Sequence, residues 1–312
     1  MPSRVFEVSR HTVLLFVSLV ACGPVAEPEE SQEPTHQESA LEERNGLSPN
    51  GLAFNGLATN GLAFNGLATN GLAFNGLSAA RFATWFQKDP AVGDMVMRYL
   101  VQCAVPEGQV RTFTHSTTGR TYVWPGLLGL APDWAQGAPV RLEEQQVISA
   151  CLAAHTNKFG VRVAISVLGR DAKGAAIPYT KDELDEFSEK EACFFGNLFN
   201  GEGVYVGNDG RMLHHDHSSA RACARSDEKD DERQPCLPLV RMQRKCDKYC
   251  EKDESKDFYT QCTYNGVTYR PITTRMLKHD VFKCGDDICQ YTETCGTGGT
   301  PDNCGKDCGP CP

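Results

Sequence analysis

The chain has no apolar run near the roughly twenty residues that a permanent membrane-spanning helix needs. Its longest, Thr12–Cys22 (TVLLFVSLVAC), is about half that length. It also lacks excess positive charge. Its 312 residues carry 31 Lys and Arg against 40 Asp and Glu, a formal net charge of −9, so no basic face for a phosphate backbone is implied and a nucleic-acid partner is disfavoured. No Gly-x-Ser-x-Gly elbow, His-Glu-x-x-His helix or phosphate-binding loop occurs, which removes the common signatures of serine hydrolases, zinc proteases and nucleotide-binding enzymes. Tryptophan is scarce: the three residues, Trp85, Trp124 and Trp134, all lie in one central region.

The short apolar run sits behind Arg4, Arg10 and His11, the layout of a cleaved export signal with a basic n-region and a short h-region. It ends in Leu19-Val20-Ala21-Cys22, which resembles the lipobox of bacterial lipoproteins. That resemblance implies cleavage before Cys22, a diacylglyceryl group on its sulfur, and a mature chain tethered to a membrane outside the cytoplasm. Gly23, rather than Asp, follows the cysteine, which by the same resemblance permits passage to an outer membrane or the cell surface.

Once residues 1–21 are set aside, the negative charge is uneven. Residues 22–44 hold Glu27, Glu29, Glu30, Glu33, Glu38, Glu42 and Glu43 against Arg44 alone, with Pro, Ser and Gln and no aromatic residue. Such a segment buries too little apolar surface to offset its ordering entropy and reads as a disordered, charged, extended tether. From Asn45 to Ala79 follow seven uncharged copies of a five-residue unit: NGLSP, then NGLAF and NGLAT alternating, then NGLSA. Glycine at every fifth position excludes a helix, and an odd period sends successive Leu side chains to opposite faces of a flat strand. Two readings remain. One resembles the pentapeptide-repeat β-helix, with Leu52, Leu57, Leu62, Leu67 and Leu72 pointing inward. The other is a flexible stalk in which each Asn-Gly offers a turn, and seven units, fewer than two coils, favour it.

Residues 80–276 have the composition of a folded domain. Asp89-Pro90 predicts a helix start, and Val92, Val96, Tyr99, Leu100 and Cys103 continue at helical spacing. Val110–His115 and Arg120–Trp124 predict a hairpin around Thr118-Gly119. Glu143–Asn157 predicts a helix with Val147, Ile148, Cys151, Leu152 and His155 on one face, and Val161–Leu168 a central strand. Asp182–Glu191 predicts a third helix, and Cys262–Tyr269 a hairpin with Asn265-Gly266 in a type I′ turn. Interspersed helices and hairpins give an α+β fold class.

Fifteen cysteines stand in the chain. Setting Cys22 aside leaves Cys103, Cys151, Cys193, Cys223, Cys236, Cys246, Cys250 and Cys262 in the domain, and Cys284, Cys289, Cys295, Cys304, Cys308 and Cys311 in the last 29 residues. Both sets are even, so in an oxidising compartment each can close on itself as disulfides, with a connectivity that spacing alone does not decide. Cys151 and His155, at i and i+4, have the spacing of a thiol and its base, but a bridge from Cys151 to Cys103 is the simpler expectation. Cys246-x-x-x-Cys250 has half of a zinc spacing, and export again favours disulfides.

Two metal sites are candidates. His214, His215 and His217 supply imidazoles suited to Zn²⁺ or Cu²⁺, although neighbours in sequence cannot all face one ion without a ligand from elsewhere. Asp227–Arg233 reads as a solvated charge run. Residues 284–312 are too short and too rich in Gly and Pro for an apolar core and read as a small knot stapled by three bridges. Their pattern, Cys-Gly-Asp-x-x-Cys-x-x-x-Glu-x-Cys followed by Asp-Cys-Gly, resembles short cysteine-rich modules at the ends of bacterial surface proteins. Some related modules hold Ca²⁺, for which Asp286, Asp287 and Glu293, with Asp302 and Asp307 nearby, supply oxygens.

The full order resembles bacterial surface lipoproteins with NGL-type pentapeptide repeats and a cysteine-rich C-terminal module. This resemblance brings no activity and no active-site residues. The expected function is a lipid-anchored binding, adhesion or envelope-structural module facing a surface protein or glycan. The alternative is a secreted metal-dependent hydrolase built on His214, His215 and His217.

Overall fold

Asp89 starts a helix as its sequence predicts: its carboxylate accepts the N–H of Val92 at 3.1 Å, and Pro90 takes the first helical position. This computed structural model describes residues 42–45, 80–156, 163–200, 202–209, 239–242, 245–281, 284–290, 293–300 and 303–312. All of them belong to one unit, Glu38–Pro312. Strand β1 (Glu42–Asn45) lies where the acidic segment meets the repeat, followed after the repeat by α1 (Ala80–Lys88) and α2 (Pro90–Ala104). Helix α1 lay outside the predicted elements. Its Phe82, Trp85 and Phe86, at i, i+3 and i+4, turn one aromatic face inward.

That face needs a cover, and the hairpin β2 (Val110–Thr114) and β3 (Thr121–Pro125) supplies it. Phe113, Tyr122 and Trp124 alternate inward and meet α1, with Phe82–Phe113 ring centroids 5.0 Å apart and Phe86–Tyr122 4.8 Å apart. The indole N–H of Trp124 donates to Asp94 on α2 at 2.7 Å, so the ring is buried without an orphaned donor. A short helix, α3 (Pro132–Ala135), leads to α4 (Leu142–Ala154). Buried Glu144 joins the two: it accepts the N–H groups of Asp133 and Trp134, both at 2.9 Å, and that of Arg141 at 3.0 Å. Cys103 of α2 is bridged to Cys151 of α4.

The remaining elements are β4 (Val163–Gly169), α5 (Lys181–Glu186), β5 (Glu189–Asn197), β6 (Gly203–Asn208), β7 (Leu239–Arg241), β8 (Cys250–Lys252), β9 (Tyr259–Tyr264), β10 (Val267–Tyr269) and β11 (Ile272–Met276). Six strands form one sheet in the order β1-β4-β11-β5-β6-β7, antiparallel except for the β6–β7 pair. The alternation of β5 fixes the layers. Ala192 and Phe194 enter the core under the helices, whereas Cys193 and Phe195 enter a second core with Tyr259, Cys262 and Tyr269 of the small sheet β10-β9-β8. Helices thus cover one face of the main sheet and the small sheet covers the other, which confirms the α+β class with its several disulfides.

Besides the unpredicted α1, and β1, whose Glu42–Arg44 were read as part of a disordered tether but pair with β4, two elements differ from the sequence expectation. The helix predicted over Asp182–Glu191 stops at Glu186, and Glu189 already begins β5. Thr180 caps its start through Glu183 N–H at 3.1 Å, but Glu191 is drawn into the sheet, where it accepts the hydroxyl of Thr274 at 2.6 Å. Strand pairing overrides local helix propensity there. The other is β11, whose polar Thr273, Thr274 and Arg275 gave no strand signal yet are all buried between β4 and β5. The β9–β10 hairpin has Asn265 at φ 49° and Gly266 at φ 78°, both positive as a type I′ turn requires.

After the sheet comes the cysteine-rich module, with β12 (Gly299–Thr300), β13 (Asn303–Cys304) and a single turn, α6 (Gly305–Cys308). Its bridges are Cys284–Cys304, Cys289–Cys308 and Cys295–Cys311, first to fourth, second to fifth and third to sixth. No helix among the described residues is long and apolar enough to cross a membrane.

A test of the central hairpin lies at Gly196, whose φ is +146° and whose added Cβ would stand 2.4 Å from Gly203 O and 2.7 Å from Val204 Cα. Gly196→Ala is expected to lower stability by about 2–4 kcal/mol in denaturant unfolding, from backbone strain plus the clash. A loss within about 0.5 kcal/mol, typical of a surface change, would contradict this packing.

Candidate functional site

Cys22, His214, His215, His217, Cys223 and Cys236 lie outside the described residues. The other candidates are placed. Cys151 is tied to Cys103, so it is no free nucleophile, and His155 lies beside the bridge, 3.8 Å from one sulfur and 4.0 Å from the other. The imidazole is fully buried, with Nδ1 2.8 Å from the Cys151 carbonyl oxygen. Cys246 and Cys250, the half zinc spacing, go to different bridges, Cys193–Cys246 and Cys250–Cys262.

The carboxylates of the terminal module largely serve its own backbone. Asp307 accepts the N–H groups of Gly285, Asp286 and Asp287, the latter two at 3.3 and 3.1 Å. Burial alone would raise its pKa, but these N–H groups, with Lys306, hold it below the ordinary carboxylate range. Asp286 accepts Ile288 N–H at 3.0 Å and the Gln290 amide at 2.9 Å. Asp287 sits at φ 66°, in the left-handed region, as part of the same turn. Glu293 caps Gln290 N–H at 3.2 Å through one oxygen, while its other oxygen and Gln290 Oε1 are buried without a hydrogen-bond partner. Burial first, then the charges of Asp307 and Asp286, push Glu293 up to about 7.

A set of buried and half-buried polar pairs on β4, β9, β11 and their connections gives no sequence signal. Ser166 donates to Glu183 at 2.8 Å, Arg170 to Asp253 at 2.7 Å, and Tyr179 to Asp257 at 3.1 Å. Arg275 donates to the carbonyl oxygen of Leu184 at 3.2 Å, and its guanidinium lies 3.9 Å from Asp257. At the end of β6, Asp209 accepts the Tyr259 hydroxyl at 2.6 Å and lies 3.4 Å from the Lys252 ammonium. Burial, then Asp209, raises the Tyr259 phenol well above its ordinary range, so it acts as a neutral donor and not as a base. A buried carboxylate paired with a phenol fifty residues away leaves no periodic signal, because the contact depends on the sheet register.

Three groups of potential ligands lie with their atoms within 4.8 Å among the described residues: Cys103, Cys151 and His155; Cys193, Cys250 and Cys262; and Cys284, Cys304 and Asp307. Every cysteine in them is bridged, so none offers the thiolate that zinc binds. The carboxylates of Asp286, Asp287 and Glu293 are not among these convergent groups.

A family model described as the GLTT repeat matches six copies over residues 46–78. No curated protein and no solved structure matches the chain. The repeat is therefore of a known sequence type, and the match stops short of the folded body that follows it.

Glu293 gives a pH test. Its folded pKa lies above the ordinary 4.5, so its contribution to stability is fully present below about 4.5 and lost as pH rises through about 7. The carboxyl carbon of Glu293 is expected to titrate near pH 7 by NMR, and Glu293→Gln to flatten thermal stability across that window. A midpoint below pH 5 would contradict its burial beside two carboxylates.

Proposed function

We propose that the chain is an exported lipoprotein, anchored through Cys22, whose disulfide-stapled body acts as a binding, adhesion or envelope-structural module at a cell surface. The carrying observation is that all twelve described cysteines are bridged. So many bridges suit an oxidising compartment and are rare in a reducing one. The fifteen cysteines then leave Cys22, Cys223 and Cys236 to account for, and the last two suffice for one further bridge, which leaves Cys22 for the lipid.

The flanks of the repeat refine this reading. Asn45 ends β1 in the main sheet and Ala80 begins α1, whose aromatic face packs on the β2–β3 hairpin, so the body holds both ends of the intervening residues. In our proposal the matched repeat stands between two segments fixed to the body, and residues 23–41 connect the anchor at Cys22 to β1. The partner is of the surface-protein or glycan class.

Growth with an alkyne fatty acid tests the anchor. The wild-type protein is expected to carry label and to fractionate with membranes, and Cys22→Ala to lose label and appear in the soluble extracytoplasmic fraction. Absence of label, or label that survives Cys22→Ala, would refute the anchor.

A further inference from the structure

The second core contains two bridges in van der Waals contact. Cys193 Sγ lies 3.8 Å from Cys250 Sγ, although each is bonded to another partner, Cys246 and Cys262 respectively. The sulfurs of Cys193, Cys250 and Cys262 all lie within 4.8 Å of one another. Phe195, Tyr259 and Tyr269 help to wall the cluster. Gly207 leaves room for it: a Cβ there would meet Cys246 Sγ at 3.1 Å and Cys193 Sγ at 3.2 Å. Two independent staples need no such contact, since each closes its own loop of 53 or 12 residues.

The surroundings of the four sulfurs are unequal. The backbone N–H of Cys193 donates to Cys246 Sγ at 3.1 Å. A hydrogen bond to sulfur stabilises the thiolate, so Cys246 is the better leaving group of its bridge. Cys250 belongs to β8, the edge strand of the small sheet, and at 9 % exposure it is the least buried of the four. A reductant therefore reaches the Cys250–Cys262 bridge first.

We propose that these four cysteines form a thiol–disulfide exchange site whose co-reactant is a dithiol. The dithiol reduces Cys250–Cys262, becoming a disulfide itself and leaving thiols on Cys250 and Cys262. The Cys250 thiolate then attacks Cys193 Sγ. A Cys193–Cys250 bond forms, the Cys193–Cys246 bond breaks, and the electron pair leaves on Cys246 as its hydrogen-bonded thiolate. The electrons come to rest on Cys246 and Cys262. The new bridge still ties the small sheet to β5, while the chain at Cys246 is released from it.

The exchange can be tested in the full-length protein without added reductant. In Cys262→Ser, Cys250 begins with no partner; after incubation near pH 8.5, a quench into excess N-ethylmaleimide at mildly acidic pH traps the free thiol, and peptide mapping locates it. Exchange puts the label on Cys246, with Cys193 and Cys250 joined in one peptide pair. About tenfold more label on Cys246 than on Cys250 is expected, the ratio that one unit of thiol pKa corresponds to. Label mainly on Cys250, with Cys193–Cys246 intact, would overturn the proposal. Should Cys262→Ser fail to fold, Cys246→Ser runs the same contact in the other direction. The label is then expected on Cys262, and label retained on Cys193 would overturn the proposal.

Discussion

From Glu191 to Asn197 every side chain of β5 is buried, so this strand must be covered on both faces. Ala192 and Phe194 demand the helical layer, and Cys193 and Phe195 demand the small sheet. The same constraint places β11 beside it and forces polar residues inside. Glu191 and Thr274 are tolerable there because each supplies what the other lacks, at 2.6 Å. Ser166 and Glu183 are matched in the same way at 2.8 Å.

A three-stranded sheet with strands of three to six residues is marginal as an independent unit. It is held in two ways. Tyr259, Cys262 and Tyr269 bury apolar surface against β5, and the Cys193–Cys246 bridge fastens the chain just before β8 to β5 itself. The terminal module goes further in this direction. With few buried apolar residues, it depends on three bridges and on Asp307 and Glu293 capping its backbone. Asp286, Glu293 and Asp307, which look like calcium ligands in the sequence, thus each already accept a backbone N–H.

These features bear directly on function. The described body has a buried histidine beside a closed bridge, a phenol made a poorer acid by burial, and a carboxylate, Asp209, that accepts that phenol's hydroxyl. Its reactive potential is concentrated in sulfur, where two bridges touch on an edge-strand side of the second core. Cys250 at that contact is 9 % exposed, whereas the Cys103–Cys151 bridge in the helical layer is fully buried.

Much of the fold was legible where the signal is local. Asp89-Pro90 announced a helix, Asn265-Gly266 a tight hairpin, and alternation at Phe113, Tyr122 and Trp124 a covered sheet. Cysteine parity divided the chain into two sets, and within the described residues each set pairs internally. Strand β11 was not legible, because Thr273, Thr274 and Arg275 look exposed until β4 and β5, drawn from about a hundred residues earlier, enclose them. The C-terminal half of the predicted third helix failed for the same reason, since pairing with β11 outweighs helix propensity at Glu189 and Glu191. By itself the sequence determined the capped helix, the turns, the repeat and the demand for disulfides, all of which rest on neighbours a few residues apart. Only the tertiary structure decided which cysteines bond and which bridges touch, because register and layer packing bring together sulfurs as far apart in the chain as Cys193 and Cys246 or Cys193 and Cys250.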